Sequence, residues 1–338
     1  ALMLLGSSLH SSMTPSTQPW LSLKMREALL NDDKAITDWL EDCARRLHAA
    51  FRQSAFNEAV HEMFLDLAAF GTGALFVEEK SPTAQGVFGG FRFLVPAIAT
   101  YVISEDQEGR VDTLFRKFSR PLRTVYALWG DKIGQALVQR LEREPDRPVE
   151  ILHACYPRRD RAYDATTGQP KRGSKNMAWA SCYVIVETKA KVEEGGYEEF
   201  PFMVPRWSKT SGEIYGRGPS HTALPDVASL NATKEILLKA APLAMIPPTF
   251  ERDDSVIGDL DLTSGGRNVV STAGPIGDAF GFIETGQKVD VSQLILEELR
   301  AAVRSIYFTD QLIMQQKPQM TATEVLALQE QMQRLLGP

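Results

Sequence analysis

Glu58 and His61 stand three residues apart in a stretch with helical periodicity, the arrangement by which a helix offers two ligands to a pair of metal ions. A two-metal carboxylate site needs a second Glu-x-x-His motif, and the sequence contains none. A solvated helix face is therefore the favoured interpretation. A metal-assisted hydrolase that also uses the aspartates described next remains the enzyme hypothesis.

A second group of acidic residues lies between Thr249 and Val291, where eight acidic residues face three basic ones. Its aspartates lack the Gly and Glu spacing of an EF-hand calcium loop. A solvated acidic insert is the favoured interpretation, and we expect its rim to meet a protein partner. The predicted docking residues are Asp253, Asp254, Asp259, Asp261, Arg267 and Asp278.

Signatures of nucleotide, serine-hydrolase and zinc-protease sites are absent from the sequence: GxxxxGK[ST], GxSxG and HExxH do not occur. Gly71-Thr72-Gly73 precedes a strand and is interpreted as a turn. His48 and His153 are interpreted as structural residues, and His221 as a local helix cap rather than an anion ligand. Three distant cysteines without a CxxC pair predict neither zinc nor disulfides. We expect no cofactor, no metal and no enzymatic activity.

The net charge of −6 over 338 residues argues against a protein that grips nucleic acid tightly through a basic face. This charge does not exclude a protein along which nucleic acid moves without being held tightly. No apolar run reaches the ~18 residues of a membrane span. Since the first residue is not Met, we interpret the chain as part of a longer or trimmed polypeptide.

These residues must be positioned by helices and short strands. The Ser-, Thr- and Pro-rich residues 1–19 predict an irregular segment, and periodicity predicts helices from Asp32 to Phe70. From Gly73, β-branched and aromatic runs predict an antiparallel sheet, with one inserted helix over Arg123–Glu142. The class of residues 20–210 is therefore α+β. The predicted strands are ALFVEE, FRFLVP, TYVIS, VDTLFRKF, VEILHACYP, AWASCYVIV and YEEFPFMVPRW.

A second organisation follows: helix, β-rich insert, helix, loop and helix. Thr222 is predicted to cap the first helix, which runs to Ala241, and Asp290 or Ser292 to cap the second, Gln293–Met314. NVVST and FGFIE predict short strands in the insert. Pro318 breaks the second helix, and the polar loop before the next helix carries one cation, Lys317. Two long helices around a compact insert suit a subunit that lines a channel.

GRGPSHTALPDVASLNATKEILLKAAPLAMIPP resembles the head-to-tail connecting, or portal, proteins of short-tailed bacteriophages. The similarity rests on Gly216-Arg217-Gly218-Pro219, Ala223-Leu224-Pro225-Asp226, Leu230-Asn231 and Pro247-Pro248. The segment around Pro19-Trp20 and the passage FTDQLIM to MTATEVLALQEQMQRLLGP are similar to the same family. The resemblance covers nearly the whole sequence.

The resemblance implies a ring-forming portal fold with an α/β wing, a two-helix stem and a small β-rich clip. The implied parts are an irregular segment 1–19, wing 20–221, stem helices 222–246 and 292–314, clip 247–291, tunnel loop 315–320 and a returning helix from 321–338. The implied stem residues are Leu230, Lys234, Leu237, Leu299, Val303 and Ile306. The implied DNA-channel residues are Gln315, Gln316, Lys317, Pro318, Gln319 and Met320.

The implied function is a ring, normally of twelve copies, at one capsid vertex, through which double-stranded DNA is packaged and ejected independently of sequence. The implied partners are further copies of the chain, the terminase, a tail adaptor, and major capsid and scaffold proteins, with no membrane. The implied location is the virion, after assembly in the host bacterial cytoplasm. The alternative is an adaptor or scaffold protein of a phage assembly that binds a partner through the acidic insert without forming a DNA channel.

Overall fold

The computed structural model describes residues 1–16, 18–80, 88–163, 170–171, 173–252, 261–270, 280–282 and 289–312. They fall into two compact units, one within residues 2–221 and one within 222–312. Helices and sheets occur together, which confirms the α+β class. The helices are α1 Leu2–Met13, α2 Lys34–Arg52, α3 Phe56–Phe70, α4 Leu122–Trp129, α5 Gln135–Val138, α6 Pro219–Met245, α7 Val289–Ile306 and α8 Thr309–Leu312. The strands are β1 Leu75–Glu79, β2 Phe91–Leu94, β3 Tyr101–Glu105, β4 Val111–Pro121, β5 Pro148–Pro157, β6 Trp179–Ile185, β7 Lys191–Tyr197, β8 Phe202–Met203, β9 Thr249–Arg252, β10 Arg267–Val270 and β11 Phe280–Phe282.

The beginning of the chain is helical, so the prediction of an irregular segment over 1–19 is wrong for α1. Leu5 and Leu9 recur at helical spacing and are buried. Gly6 lets α1 approach α3 closely, because a Cβ there would lie 2.6 Å from the Cδ2 atom of Leu65. The buried leucines and this close approach outweigh the low helix propensity of the serines.

The helices predicted between Asp32 and Phe70 are confirmed as α2 and α3. Asp33 caps α2 by accepting a hydrogen bond from the Ala35 amide at 2.8 Å. α3 ends at Gly71, which adopts a left-handed conformation with φ +74°. The Trp20 ring stacks in parallel on the rings of Phe51 and Phe56, at centroid distances of 5.9 and 5.6 Å. The segment before α2 is thereby packed against α2 and α3.

Five antiparallel strands form the larger sheet of the first unit in the order β3-β4-β5-β6-β7. The turn at Gly109 joins β3 to β4 as predicted. The strand β7 was not predicted, because KVEEGGY contains no alternation of apolar and polar residues. A three-stranded sheet of order β2-β1-β8 packs near it through Phe76 and Phe202.

The single helix predicted over Arg123–Glu142 is wrong: the segment is divided into α4, a 3₁₀ turn and α5. Gly130 and Gly134 lie at φ +56° and +97°, conformations that an α-helix does not contain. The division is stabilised by burial of Leu122, Val125 and Ile133 in one core cluster against β5, β6 and β7. A continuous helix would carry part of this apolar surface into solvent.

A buried polar network crosses the larger sheet at His153, as expected for a structural histidine. The Nε–H of Arg116 donates to His153 Nδ1 at 3.1 Å. Because Nδ1 accepts, the proton of the neutral ring lies on Nε2, which is 3.0 Å from Ser181 Oγ. The ring of Tyr183 stacks on the imidazole with centroids 4.1 Å apart. Burial, and then the Arg116 charge, lower the pKa of His153 to about 3.

Acidification should destabilise the first unit through His153. Its pKa is about 3 when folded and ordinarily 6.5, so the unfolded chain binds the proton first as pH falls below about 6.5. Stability is therefore full above that pH and declines progressively towards pH 3, by on the order of 5 kcal/mol in total. Urea unfolding at neutral and acidic pH measures this difference. In His153→Gln the loss of stability on acidification should shrink. A loss equal to that of the unsubstituted protein would contradict the role of His153.

The second unit contains most of α6, the three-stranded sheet β10-β9-β11, and α7 with α8. β10 and β11 confirm the strands predicted at NVVST and FGFIE, although β9 was not predicted. β9 pairs with β10 in parallel and with β11 antiparallel. This places both at the edges of a small sheet in the acidic insert.

The two long helices differ from their predicted bounds. α6 begins at Pro219, not after Thr222, and continues through Pro225 and Pro242 to Met245. α7 begins at Val289, so Asp290 and Ser292 lie inside it and are not its caps. It ends at Ile306 before Phe308, a non-glycine residue with φ +56°, and the predicted continuous helix to Met314 is therefore wrong.

Membrane insertion through a helix finds no support in the part of the chain that the structure describes. None of its helices combines the length and the apolar character that crossing a bilayer requires.

Candidate functional site

Glu58 and His61 lie on α3, where Glu58 is exposed and His61 packs against α1. The His10 and His61 rings meet edge to face at 5.8 Å. Burial lowers the pKa of His10, with a further contribution from His61 and an opposing one from Glu58. Across the described ranges, no group of three or more His, Cys, Asp and Glu side chains is placed to hold a metal ion.

The acidic insert is described only in part. Asp261 accepts hydrogen bonds from the Thr263 amide at 2.9 Å and the Thr263 hydroxyl at 2.6 Å, and these bonds lower the pKa of its carboxyl group. Arg267 is the first residue of β10. Asp253, Asp254, Asp259 and Asp278 lie outside the described residues. Asp261 therefore has a local structural contact, and docking at the insert stays a prediction.

The predicted tunnel loop, Gln315 to Met320, also lies outside the described residues, as does the helix predicted after it. Contact between this loop and DNA therefore stays a prediction.

Three glycines bring the first turn of α6 against the end of α3. A Cβ on Gly218 would lie 2.8 Å from the Gly71 nitrogen, and a Cβ on Gly71 would lie 2.5 Å from the carbonyl carbon of Arg217. Gly216 also packs against Gly71. The Gly216 amide donates to the buried Thr72 hydroxyl at 2.8 Å. This glycine contact, formed by Gly71 with Gly216 and Gly218, has no room for a larger residue.

The first turn of α6 is closed by a local cap and by a contact to α3. His221 Nδ1 accepts a hydrogen bond from the Gly218 amide at 3.1 Å, which confirms the predicted cap. The Ser220 hydroxyl donates to the Ala68 carbonyl at 3.0 Å. Pro219 follows the cap, where the missing N–H of proline costs no hydrogen bond.

An ion-paired cluster holds the segment that leads to α6. Glu105, at the end of β3, pairs with Arg206 and with Lys209, whose Nζ is 2.6 Å from Glu105 Oε2. Arg206 also donates to the Gly109 carbonyl at 2.9 Å, and the Ile103 amide donates to the Tyr215 hydroxyl at 3.2 Å. The chain around residues 206–218 is therefore tied to the β3–β4 hairpin. Sequence reasoning missed this cluster, because its partners are about a hundred positions apart.

Beyond its first turn, α6 presents large apolar side chains to solvent. Leu224, Leu238 and Met245 are exposed to 65, 63 and 83%. They recur at multiples of seven residues, which places them on one side of the helix. We call these three residues the α6 stripe. An exposed apolar row on a helix marks a surface that another element covers.

The predicted stem residues on α6 divide between two sides of the helix. Leu230 and Leu237, seven residues apart, are partly buried, whereas Lys234 is exposed near the α6 stripe. The helix thus has one side packed within the chain and another available to a partner.

The predicted stem residues on α7 follow a different pattern. Leu299, Val303 and Ile306 are partly buried beside the buried Leu296. The exposed residues include charged side chains of both signs, Glu297, Glu298, Arg300 and Arg304, and two apolar ones nearer the start of the helix, Leu294 and Ile295. α7 is therefore an amphipathic helix whose exposed charges balance.

Comparisons with known proteins cover the entire chain. The family model described as "Bacteriophage head to tail connecting protein" matches residues 1–338. A "Probable portal protein" of Bordetella phage BPP-1 is 30% identical over 348 residues, covering 100% of this chain and 60% of that relative. A "Portal protein" of Salmonella phage epsilon15 is 26% identical over 355 residues, covering 99% and 60%. The chain spans about 60% of the length of these curated relatives.

Proposed function

Because the chain belongs to the family of bacteriophage head to tail connecting proteins, we propose that it is a portal subunit, one copy of a ring at a single capsid vertex. DNA passes through the ring during packaging and ejection, independently of its sequence. The role is structural rather than enzymatic. The ring belongs to the virion and is assembled in the host cytoplasm.

The observation that carries the proposal within the structure is the α6 stripe. A ring of identical subunits needs heterologous contacts, in which one surface meets a different surface of the next copy. Fully burying a large apolar side chain stabilises an interface by about 1.5–3 kcal/mol. Three such side chains in one row, repeated at every interface, supply a substantial driving force for closure of the ring.

The stem, clip and wing are assigned on this basis. We propose that 222–246 and 292–314 are the stem, 247–291 the clip and 20–221 the wing, with 315–320 as the tunnel loop. A helix whose exposed charges balance, as those of α7 do, suits a channel wall because a strongly basic wall would hold the DNA polyanion in place. The acidic clip is proposed to dock the terminase and then the tail adaptor, and the outer parts of the ring to meet capsid and scaffold proteins.

Native mass spectrometry of the purified full-length protein tests the proposal directly. A closed ring, with twelve copies as the expected number, supports it, and electron micrographs should show a central channel. A protein that stays monomeric at micromolar concentration would contradict the portal assignment and favour an adaptor that binds its partner without a channel.

Substituting Lys317 by Ala should change DNA packaging or retention more than ring stability. The side chain lies in a polar loop, and its repetition around the ring would form a thin cationic belt for phosphates. Packaging assays and native mass spectrometry of the same variant separate the two effects. Loss of rings with normal DNA handling would contradict this role, and Gln316→Ala is the matched neutral control.

A further inference from the structure

The hairpin between β5 and β6 carries a concentration of positive charge in an acidic chain. Residues 158–175 contain six basic residues and two acidic ones, although the whole sequence has a net charge of −6. A second basic run, from Arg116 to Arg123, is neutralised in part by ion pairs. Lys117 pairs with Glu150 at 2.9 Å and Arg123 with Asp146 at 3.1 Å.

Part of the hairpin charge is neutralised in the same way. Arg158 pairs with Glu194 at 3.2 Å, and Arg161 pairs with Glu198 at 3.3 Å. These pairs tie the base of the hairpin to β7 and to the residues that follow it. They account for two of the five cations in the described part of the hairpin.

The remaining three described cations, Arg159, Lys171 and Lys175, are exposed. None of them forms an ion pair with an acidic residue in the described parts of the chain. We call these three residues the hairpin cations. Cations that have no acidic partner among the described residues leave their charge available to an external anion.

Hydrogen bonds hold the arms that carry these cations together. The Asn176 side chain donates to the carbonyls of Ala162 and Lys171, each at 2.7 Å, and accepts from the Ala162 amide at 2.6 Å. The Lys171 amide donates to the Ala162 carbonyl at 2.9 Å. Lys171 is thereby held, on the arm that also carries Lys175, against the arm that leaves β5 and carries Arg159.

We propose that the hairpin cations bind the phosphates of duplex DNA independently of sequence. This inference rests on the proposed function, which places duplex DNA beside the protein. Exposed lysine and arginine side chains on an ordered frame suit phosphate contacts, which position a duplex without reading its bases.

Fluorescence anisotropy with a short labelled duplex of random sequence tests the proposal on the assembled full-length protein. The variant is Arg159→Gln/Lys171→Gln/Lys175→Gln. The control, Lys24→Gln/Arg26→Gln/Lys34→Gln, removes three exposed cations elsewhere and changes the net charge equally. Each lost phosphate contact lowers the salt dependence of log K by about 0.9, so the slope should fall by about 2–3 per contacting subunit in the variant.

Unchanged binding in the control together with a reduced slope in the variant supports the hairpin site. Equal losses of DNA affinity in the variant and in the control would show an effect of net charge alone and would overturn the proposed hairpin site. A wild-type protein that does not bind the duplex would overturn it too. Native mass spectrometry of the same preparations keeps the two proposals apart. Absence of a ring would overturn the portal assignment, whereas a ring that ignores external DNA would overturn only the hairpin site.

Discussion

Replacing Leu224 and Leu238 together by glutamate is expected to convert rings into monomers or short open fragments while the helix content stays unchanged. Both side chains are mostly exposed in the single chain, so the substitution disturbs no internal packing. In the ring each glutamate would bury an unpaired charge and remove apolar contact. The dissociation constant of each interface should rise at least 100-fold, equivalent to about 2.8 kcal/mol.

Native mass spectrometry and sedimentation measure this loss of assembly, and circular dichroism establishes that the subunit is folded. The matched control is Ser229→Glu/Ala232→Glu, which adds two charges at exposed positions on other sides of α6. Rings should persist in the control. Intact rings in the double leucine variant would show that the α6 stripe does not mediate assembly.

Gly71→Ala is expected to destabilise the first unit by about 3–5 kcal/mol. Two causes add. The residue has φ +74°, where a Cβ atom is strained, and that Cβ would also overlap the backbone of the segment that begins α6. Backbone cannot move aside as a flexible side chain can, so the chain must separate at the glycine contact. The midpoint of urea unfolding measures the loss.

Gly212→Ala separates the two causes. Gly212 has a similar φ of +84°, but no atom lies within 4 Å of the Cβ that the substitution would add. This control carries the conformational strain without the overlap, and it should lose only about 1–2 kcal/mol. Similar losses in the two variants would show that the close approach at Gly71 contributes nothing to stability.

The elements that sequence reasoning located are those whose pattern is local. α2 and α3 follow from apolar residues at helical spacing and from Gly71 as a stop. The hairpin at Gly109 follows from a turn residue between two β-branched runs. Family membership also followed from a local feature, the Gly216-Arg217-Gly218-Pro219 motif with its neighbours, and the family comparison confirms it.

The elements that were missed depend on contacts distant in the sequence. α1 is helical because Leu5 and Leu9 find a partner in α3, and no residue before position 20 announces that partner. β7 pairs with β6 although Gly195 and Gly196 weaken its strand character. Gly71 and Gly218 were read as a turn and as part of a motif, and only the structure shows that they touch.

The candidate site was predicted in part from the sequence, as the fold was. The division into two long helices and an insert could be read from proline and glycine positions, whereas helix ends could not. The first long helix was predicted to run to Ala241, yet α6 continues through Pro242 to Met245. In the sequence, Leu224 and Leu238 belong to an apolar stripe of the first long helix, and the structure adds that both side chains are exposed in the single chain.

The two prolines inside α6 have a mechanical consequence. Proline has no N–H, so Pro225 and Pro242 leave the carbonyls of His221 and Leu238 without their main-chain bonds along the helix. The two prolines are 17 residues apart, which corresponds to about 25 Å of rise along the helix. α6 is therefore weakened at two points about 25 Å apart. If the helix bends, the bend should occur at these two prolines rather than be spread evenly along the helix.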